Sequence, residues 1–283
     1  MTMERVFSVE FSPPRSPEAV EKLRDTRTEL ARMAPAYYSV TFGAGGSTRE
    51  GTLSTTLEIH AAGLYAVPHI SCIASTRASV RQLLDTYRSA GIRHLVALRG
   101  DAPSGVAGSS GEFRYAADLV ELVRAEYGDW FRIEVAAYPE FHPQARSPSD
   151  DLLNFVRKVR AGADSAITQY FYNADAYFRF VDDVARLGCS VPVVPGIMPI
   201  TNFTQLARFS DNCGAEIPRW MRRRLESFGD DRASIRAFGA DVVTNLCERL
   251  LAHGAPGLHF YTMNMAAPTL EIWRRIGLPE PGQ

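Results

Sequence analysis

Phe7-Ser8-Val9-Glu10-Phe11-Ser12-Pro13-Pro14 reads as a short strand with a carboxylate inside it, stopped by a Pro-Pro pair. Apolar residues occupy 7, 9 and 11, and Ser8, Glu10 and Ser12 take the other parity. Successive strand side chains point to opposite faces. Glu10 therefore shares a face with two serines, while Phe7, Val9 and Phe11 face a dry layer. Burying an unpaired carboxylate is expensive, so Glu10 is solvated, paired or working. The next residues, Ser16-Pro17-Glu18, open a helix with Ser as N-cap, Pro at the first helical position and an acid in the first turn. Strand followed by helix is the unit from which the rest of the chain is read.

The unit recurs. Strands are expected at 37–43, 66–73, 93–100, 132–138, 165–170, 192–198 and 257–264, with helices between them. Three helical stretches (202–211, 217–227 and 231–253) precede the last strand, and a final helix lies near 267–276. Strict β/α alternation implies parallel pairing with right-handed crossovers. Eight units in 283 residues match a (β/α)₈ (TIM) barrel, whose usual size is roughly 250 residues; a doubly wound open sheet is the rival. No linker or low-complexity segment divides the chain, so residues 1–283 are expected to form a single barrel domain with extra helices before the last strand.

With 46% apolar and 22% charged residues and a net charge of −1, the composition is that of an ordinary globular domain. It carries no basic run suited to nucleic acid, no apolar run of membrane-spanning length and no signal-peptide core at the N-terminus. Cys72, Cys189, Cys213 and Cys247 are scattered without a C-x-x-C pair, as in a reduced, cytoplasmic protein. There is no H-x-H, H-E-x-x-H or acid cluster, so no metal is expected.

In a β/α barrel the active site lies at the C-terminal strand ends, and here those ends are polar. Glu10, Thr41, His69, Arg99 with Asp101, Tyr138 with Glu140 and His142, Gln169, and Tyr261 with Asn264 occupy seven of them. Each has a plain alternative: a hydrogen-bonded core histidine at 69, a structural ion pair at 99 and 101, a simple tight turn at Gly43-Ala44-Gly45-Gly46. That turn fails the dinucleotide fingerprint because Thr48 stands where the third glycine belongs, and no P-loop pattern occurs. Taken together, a rim of Glu, Thr, His, Arg, Asp, Tyr and Gln suits a large polar ligand. In the helix 150–161, Asp151, Asn154, Arg157 and Lys158 fall near one face. Such a face is either solvated or holds a pyrophosphate and ribose.

These segments resemble the methylenetetrahydrofolate reductase family of the short bacterial type. The resemblance rests on Val9–Pro14, Ser39–Ala44, Pro68–Cys72, His94–Asp101, Val135–Glu140, Asp151–Asn154, Ala166–Phe171, Pro195–Pro199 and His259–Asn264, in order along the whole chain. It implies an eight-stranded barrel holding FAD. The implied reaction is reduction of 5,10-methylenetetrahydrofolate to 5-methyltetrahydrofolate with NADH or NADPH, in a ping-pong scheme that supplies methyl groups for methionine synthesis. Glu10 matches the family's acid, which would protonate N10 to open the imidazolidine ring, and Phe7, Phe11 and the flavin are expected to give it apolar surroundings. Asp101 matches the acid beside flavin and pterin. The flavin contacts carried over are Thr41, Ala44, His69, Arg99, Gly100, Asp101, Tyr115, Tyr138, His142, Ala145, Asp151, Asn154, Arg157 and Lys158. Folate contacts are Glu10, Thr41, Asp101, Gln169, Gln205 and Phe209. Met265 departs from the pattern, since well-studied bacterial members place a folate-contacting Arg there. Relatives self-associate, so a homo-oligomer is expected, and the regulatory domain of the animal enzymes is not. The rival readings are a same-lineage barrel with another acceptor or no flavin, and a folate- or flavin-binding module without turnover.

Overall fold

The strand-then-helix unit governs the whole molecule. The computed structural model describes residues 5–42, 47–100 and 111–280, the side chains at 47 and 48 excepted. The strands are β1 (Val6–Phe11), β2 (Tyr37–Val40), β3 (Ala66–Ser71), β4 (His94–Leu98), β5 (Arg132–Ala137), β6 (Ser165–Thr168), β7 (Val193–Val194), β8 (Gly196–Ile197) and β9 (Gly257–Tyr261). The helices are α1 (Pro17–Leu30), α2 (Ser47–Ala61), α3 (Arg77–Ser89), α4 (Ala116–Tyr127), α5 (Pro148–Arg160), α6 (Ala174–Arg186), α7 (Phe203–Cys213), α8 (Arg219–Ser227), α9 (Arg232–Ala252) and α10 (Ala267–Arg275). The first helix starts as its sequence dictates: Ser16 Oγ accepts from Ala19 N at 3.2 Å and Pro17 sits in the first turn. A cap of this kind contributes about 1 kcal/mol.

All strand pairs are parallel, in the order β7-β6-β5-β4-β3-β2-β1-β9-β8. The expected eight strands appear as nine segments because Pro195 has no N–H to give the ladder. β7 pairs with β6 and β8 pairs with β9, while the Pro195 carbonyl accepts from His259 N at 3.0 Å. β7 and β8 are thus two halves of one stave, and that stave joins the ends of the sheet into an eight-staved (β/α)₈ barrel.

Strand parity sorts the side chains into two layers. Val9 and Phe11 are buried between barrel and helices, and Phe7 packs edge-on against Trp273 of α10 with ring centroids 4.9 Å apart. The opposite faces fill the lumen, where Tyr37, Val67, Val96 and Ile167 form an apolar plug. Above and around it stand the polar members of the same parity: Ser8, Glu10, Ser39, His69, His94, Glu134 and His259. Among the described residues no helix is long and apolar enough to cross a membrane. The four cysteines are free thiols; burial pushes Cys72 up to about 12, which makes it a packing residue and not a nucleophile.

Candidate functional site

Glu10 stands on the lumen face of β1, its side chain 14% exposed. Two histidines converge on its Oε2: His69 Nε2 from β3 at 3.4 Å and His259 Nε2 from β9 at 3.5 Å. Burial pulls the His69 pKa down, and the nearby Glu10 carboxyl opposes that shift. Phe7 and Phe11 do not surround Glu10 as expected. They lie on the other side of the strand, against Trp273 and Tyr38, because residues one apart in a strand cannot share a face. The Glu10 backbone is also held: its carbonyl accepts from Thr262 Oγ1 at 2.6 Å. Just beyond it, Asn264 bridges both Ser12 backbone groups, Oδ1 accepting from Ser12 N and Nδ2 donating to Ser12 O, each at 2.9 Å. Met263 and Asn264 adopt φ of 52° and 56° to make this turn. Left-handed backbone suits Asn, and the turn locks the end of β9 to the end of β1.

Beside this mouth, between β4, β5, α4 and α5, lies a cavity of about 610 Å³. Its lining gathers Arg99, Gly100, Tyr115, Tyr138, His142, Ala145, Asp151, Asn154, Arg157 and Lys158. The face of α5 therefore points into a concavity, not into open water. Two of the cavity's carboxylates are engaged by backbone amides: Asp118 Oδ2 accepts from Arg114 N and Tyr115 N at 2.7 and 2.9 Å, and Asp151 Oδ2 from His142 N at 2.9 Å. Three of its cations bond neutral groups. Arg157 donates to Asn154 Oδ1 at 2.8 Å, Arg99 to Gln144 Oε1, and Lys158 to the Ala136 carbonyl. Among the described residues none of the three meets a carboxylate in an ion pair. Lys158 is pulled down to about 8, chiefly by burial and further by Arg99, with Asp151 opposing. The arrangement gathers three cations on one wall of the cavity, the kind of surface that fits a pyrophosphate.

Gly100 forms the corner between cavity and mouth. Its φ is +84°, and a Cβ there would lie 1.9 Å from Ser71 Oγ and 2.9 Å from Ile73 Cγ2. Ser71 Oγ donates to the Arg99 carbonyl at 3.0 Å, so β3 and the end of β4 close on each other with no room for a side chain.

Other members of the expected set lie elsewhere. Thr41 follows β2 at the barrel mouth, its N–H bonded to the Phe11 carbonyl at 2.9 Å. Gln169 follows β6, with Oε1 accepting from Tyr170 N at 3.0 Å. Gln205 and Phe209 lie on α7, which begins just past β8 at the same rim; the cavity does not reach either. Met265 lines a separate cavity of about 460 Å³ between α1, α9 and α10, together with Lys22 and Arg236. Ala44 and Asp101 lie outside the described residues.

Two further features stand beside the expected set. Glu140 Oε2 accepts from Glu216 N at 2.7 Å, while Oε1 is buried without a hydrogen-bond partner. Burial raises this carboxyl to about 7. Glu140 ties the loop that carries His142 and Ala145 to the segment after α7. The second feature is a polar group low in the barrel. Glu134, 2% exposed, accepts from Tyr37 Oη at 2.7 Å and Ser165 Oγ at 2.9 Å, with His94 Nε2 at 3.3 Å. Parity along β2, β4 and β5 would have placed Tyr37, His94 and Glu134 together in the lumen. Attention to strand ends alone passes over them.

Comparison with known proteins bears on this geometry. The methylenetetrahydrofolate reductase family profile matches residues 2–277. The 5,10-methylenetetrahydrofolate reductase of Salmonella typhimurium is 41% identical over 276 residues, 97% of this chain and 91% of that protein. Methylenetetrahydrofolate reductase (NADH) 1 of Arabidopsis thaliana is 36% identical over 97% of this chain, which spans 49% of that protein. Among solved structures, a Clostridium thermocellum protein described as binding two copies of 5-methyl-5,6,7,8-tetrahydrofolic acid superposes with a TM-score of 0.65 at 17% identity, covering 99% of this chain and 95% of the other. At that identity the likeness concerns the barrel fold alone.

Proposed function

Because the chain belongs to the methylenetetrahydrofolate reductase family, we propose that it reduces 5,10-methylenetetrahydrofolate to 5-methyltetrahydrofolate, with NADH as hydride donor and FAD as resident cofactor. The observation that carries the flavin reading is the cavity wall on which Arg99, Arg157 and Lys158 hydrogen-bond neutral groups and, among the described residues, form no ion pair with a carboxylate. These three would hold the pyrophosphate, and Gly100 lines the same cavity beside Arg99. Bound FAD would relay the hydride from nicotinamide to folate. The plant relatives bear NADH in their names, which supports that donor.

The chain's own part is proton and position. Reduction of the folate consumes one proton, because N10 must be protonated before the imidazolidine ring opens to the N5 iminium that accepts hydride. Glu10 is the carboxyl at the mouth, fixed through its backbone by Thr262 and facing two histidines. It would deliver that proton. Asn264, by pinning Ser12, keeps the end of β1 from fraying away from the ring.

Purified protein tests the reading directly. It should be yellow, bleach anaerobically with NADH and recover its colour on addition of methylenetetrahydrofolate. A colourless protein that cannot be reconstituted with FAD would sink the flavin reading, and a bleached protein that folate does not reoxidise would point to another acceptor.

Lys158 gives the cofactor site a pH signature. A lysine held at about 8 is charged below that value and neutral above it, so pyrophosphate affinity should weaken as pH rises through 8. Stability of the cofactor-free protein should move oppositely. The folded pKa is depressed below that of the unfolded chain, so between about 8 and 10.4 the unfolded state binds more protons and stability rises with pH. Equilibrium titration with FAD from pH 7 to about 9.5, beside thermal melts of the apoprotein, checks both signs. Lys158→Gln should flatten the two curves together.

A further inference from the structure

We infer that Glu140 is a positioning residue for the flavin cavity: from the loop after β5 it clamps the strained backbone at Phe141, and so holds His142 and Ala145 in the cavity wall. This rests on the reading of that cavity as the flavin site, and it makes the site depend on a residue that does not line it.

Two unfavourable features stand side by side in this loop. Phe141 has φ of 106°, a region that a residue with a Cβ rarely adopts. Its side chain is exposed, so burial of the ring is not what holds the backbone there. Its neighbour Glu140 turns its carboxyl inward, with Oε1 buried and without a hydrogen-bond partner among the described residues. Water would satisfy that oxygen outside, and leaving it unpaired inside destabilises the fold. Strain and orphaned polar atoms persist where the surrounding structure over-determines them.

Here the over-determination comes from a clamp on each side of Phe141. Before it, Glu140 Oε2 accepts from Glu216 N at 2.7 Å, which fastens the loop to the connection between α7 and α8. After it, His142 N donates to Asp151 Oδ2 at 2.9 Å, which fastens the loop to α5. Pro143 widens the first contact: a Cβ on Gly214, at the end of α7, would lie 3.2 Å from Pro143 Cδ. Between the clamps the chain turns through Phe141, and His142 meets Tyr138 edge-on with ring centroids 4.6 Å apart. The loop then closes on itself. Gln144 N donates to His142 Nδ1 at 3.0 Å, and Ala145 N to the His142 carbonyl at 2.8 Å. Tyr138, His142, Gln144 and Ala145 all line the cavity.

Glu140 therefore acts against the strain. With the Glu216 bond gone, Phe141 is free to relax to negative φ, and its backbone is joined directly to His142. Asp151 still holds the His142 amide, so the loop is loosened at one end and stays attached at the other. The cavity wall then has to be rebuilt each time the cofactor binds, and that ordering is subtracted from affinity.

Hydrogen exchange of the cofactor-free protein reads the clamp directly. The amides of Glu216, Gln144 and Ala145 should be protected in the parent and exchange faster in Glu140→Ala, while the barrel strands keep parental rates. Parental protection of both segments in Glu140→Ala overturns the inference. FAD titration then compares the variants. Glu140→Ala should bind about tenfold more weakly than the parent, and Glu140→Gln, which keeps an oxygen for the Glu216 amide, should stay within about threefold of it. Adding Phe141→Gly to Glu140→Ala should restore part of the lost affinity, because glycine takes positive φ without strain. A Glu140→Gln protein as weak as Glu140→Ala, or a double variant no tighter than Glu140→Ala, also overturns it. If the parent itself binds no FAD, the flavin reading fails, and the exchange rates alone judge the clamp.

Discussion

Glu10→Gln is expected to lower the rate of flavin reoxidation by methylenetetrahydrofolate by about 10²- to 10⁴-fold, the usual contribution of a positioned general acid, while reduction of the flavin by NADH stays within a few-fold of the parent. The asymmetry follows from the chemistry. Hydride transfer from nicotinamide to flavin calls for no proton at N10; opening the imidazolidine ring does. The substitution is close to isosteric, so the two histidines that face Oε2 keep a polar partner and the mouth keeps its shape. Stopped-flow absorbance of the two half-reactions, run separately under anaerobic conditions, measures the split. Equal losses in both would mean that Glu10 orders the flavin or the mouth and does not supply the proton. Intact folate reduction would move the acid elsewhere.

The sequence made the barrel legible because the strand-helix alternation is local. Each unit announces itself by parity, by a cap such as Ser16-Pro17 or by an apolar run, and none needs knowledge of its neighbours. Pro195 was visible too, but its effect was not: whether a proline interrupts a ladder depends on which partner wants its N–H, and that is a tertiary fact. The same limit explains the misplaced surroundings of Glu10. Parity placed Phe7 and Phe11 on the far face of the strand, and the expectation of apolar company for Glu10 ran against that parity. What faces Glu10 comes from β3 and β9, which lie about 60 and 250 residues away along the chain. The cavity wall stood between these extremes. The face of α5 could be read as clamp or as solvated surface from its spacing alone, and only the placement of α4 and the loop after β5 opposite it makes it concave. The Glu134 group was legible one residue at a time by parity and invisible as a group, because four different staves contribute to it.

Gly100→Ala is expected to remove cofactor binding almost entirely and to lower thermal stability as well. Two costs add. Left-handed backbone at φ +84° burdens any residue with a Cβ by about 1–2 kcal/mol. The new methyl would also lie 1.9 Å from Ser71 Oγ and 2.9 Å from Ile73 Cγ2, distances that only movement can relieve. The Ser71 hydroxyl is bonded to the Arg99 carbonyl, so the movement falls on the Arg99–Gly100 backbone, the corner that aims Arg99 into the cavity. The loss of affinity should therefore exceed the loss of stability, since a folded barrel can tolerate a displaced strand end better than a flat ring can. Adding Ser71→Ala separates the two costs. It removes the nearest atom, leaves the backbone strain and leaves Ser71's own Cβ position 3.1 Å away, so the double variant should regain part of the thermal stability and part of the FAD affinity. Calorimetric melts and FAD titration of the single and double variants read the two effects. A Gly100→Ala protein that binds FAD like the parent would show that the corner does not touch the cofactor.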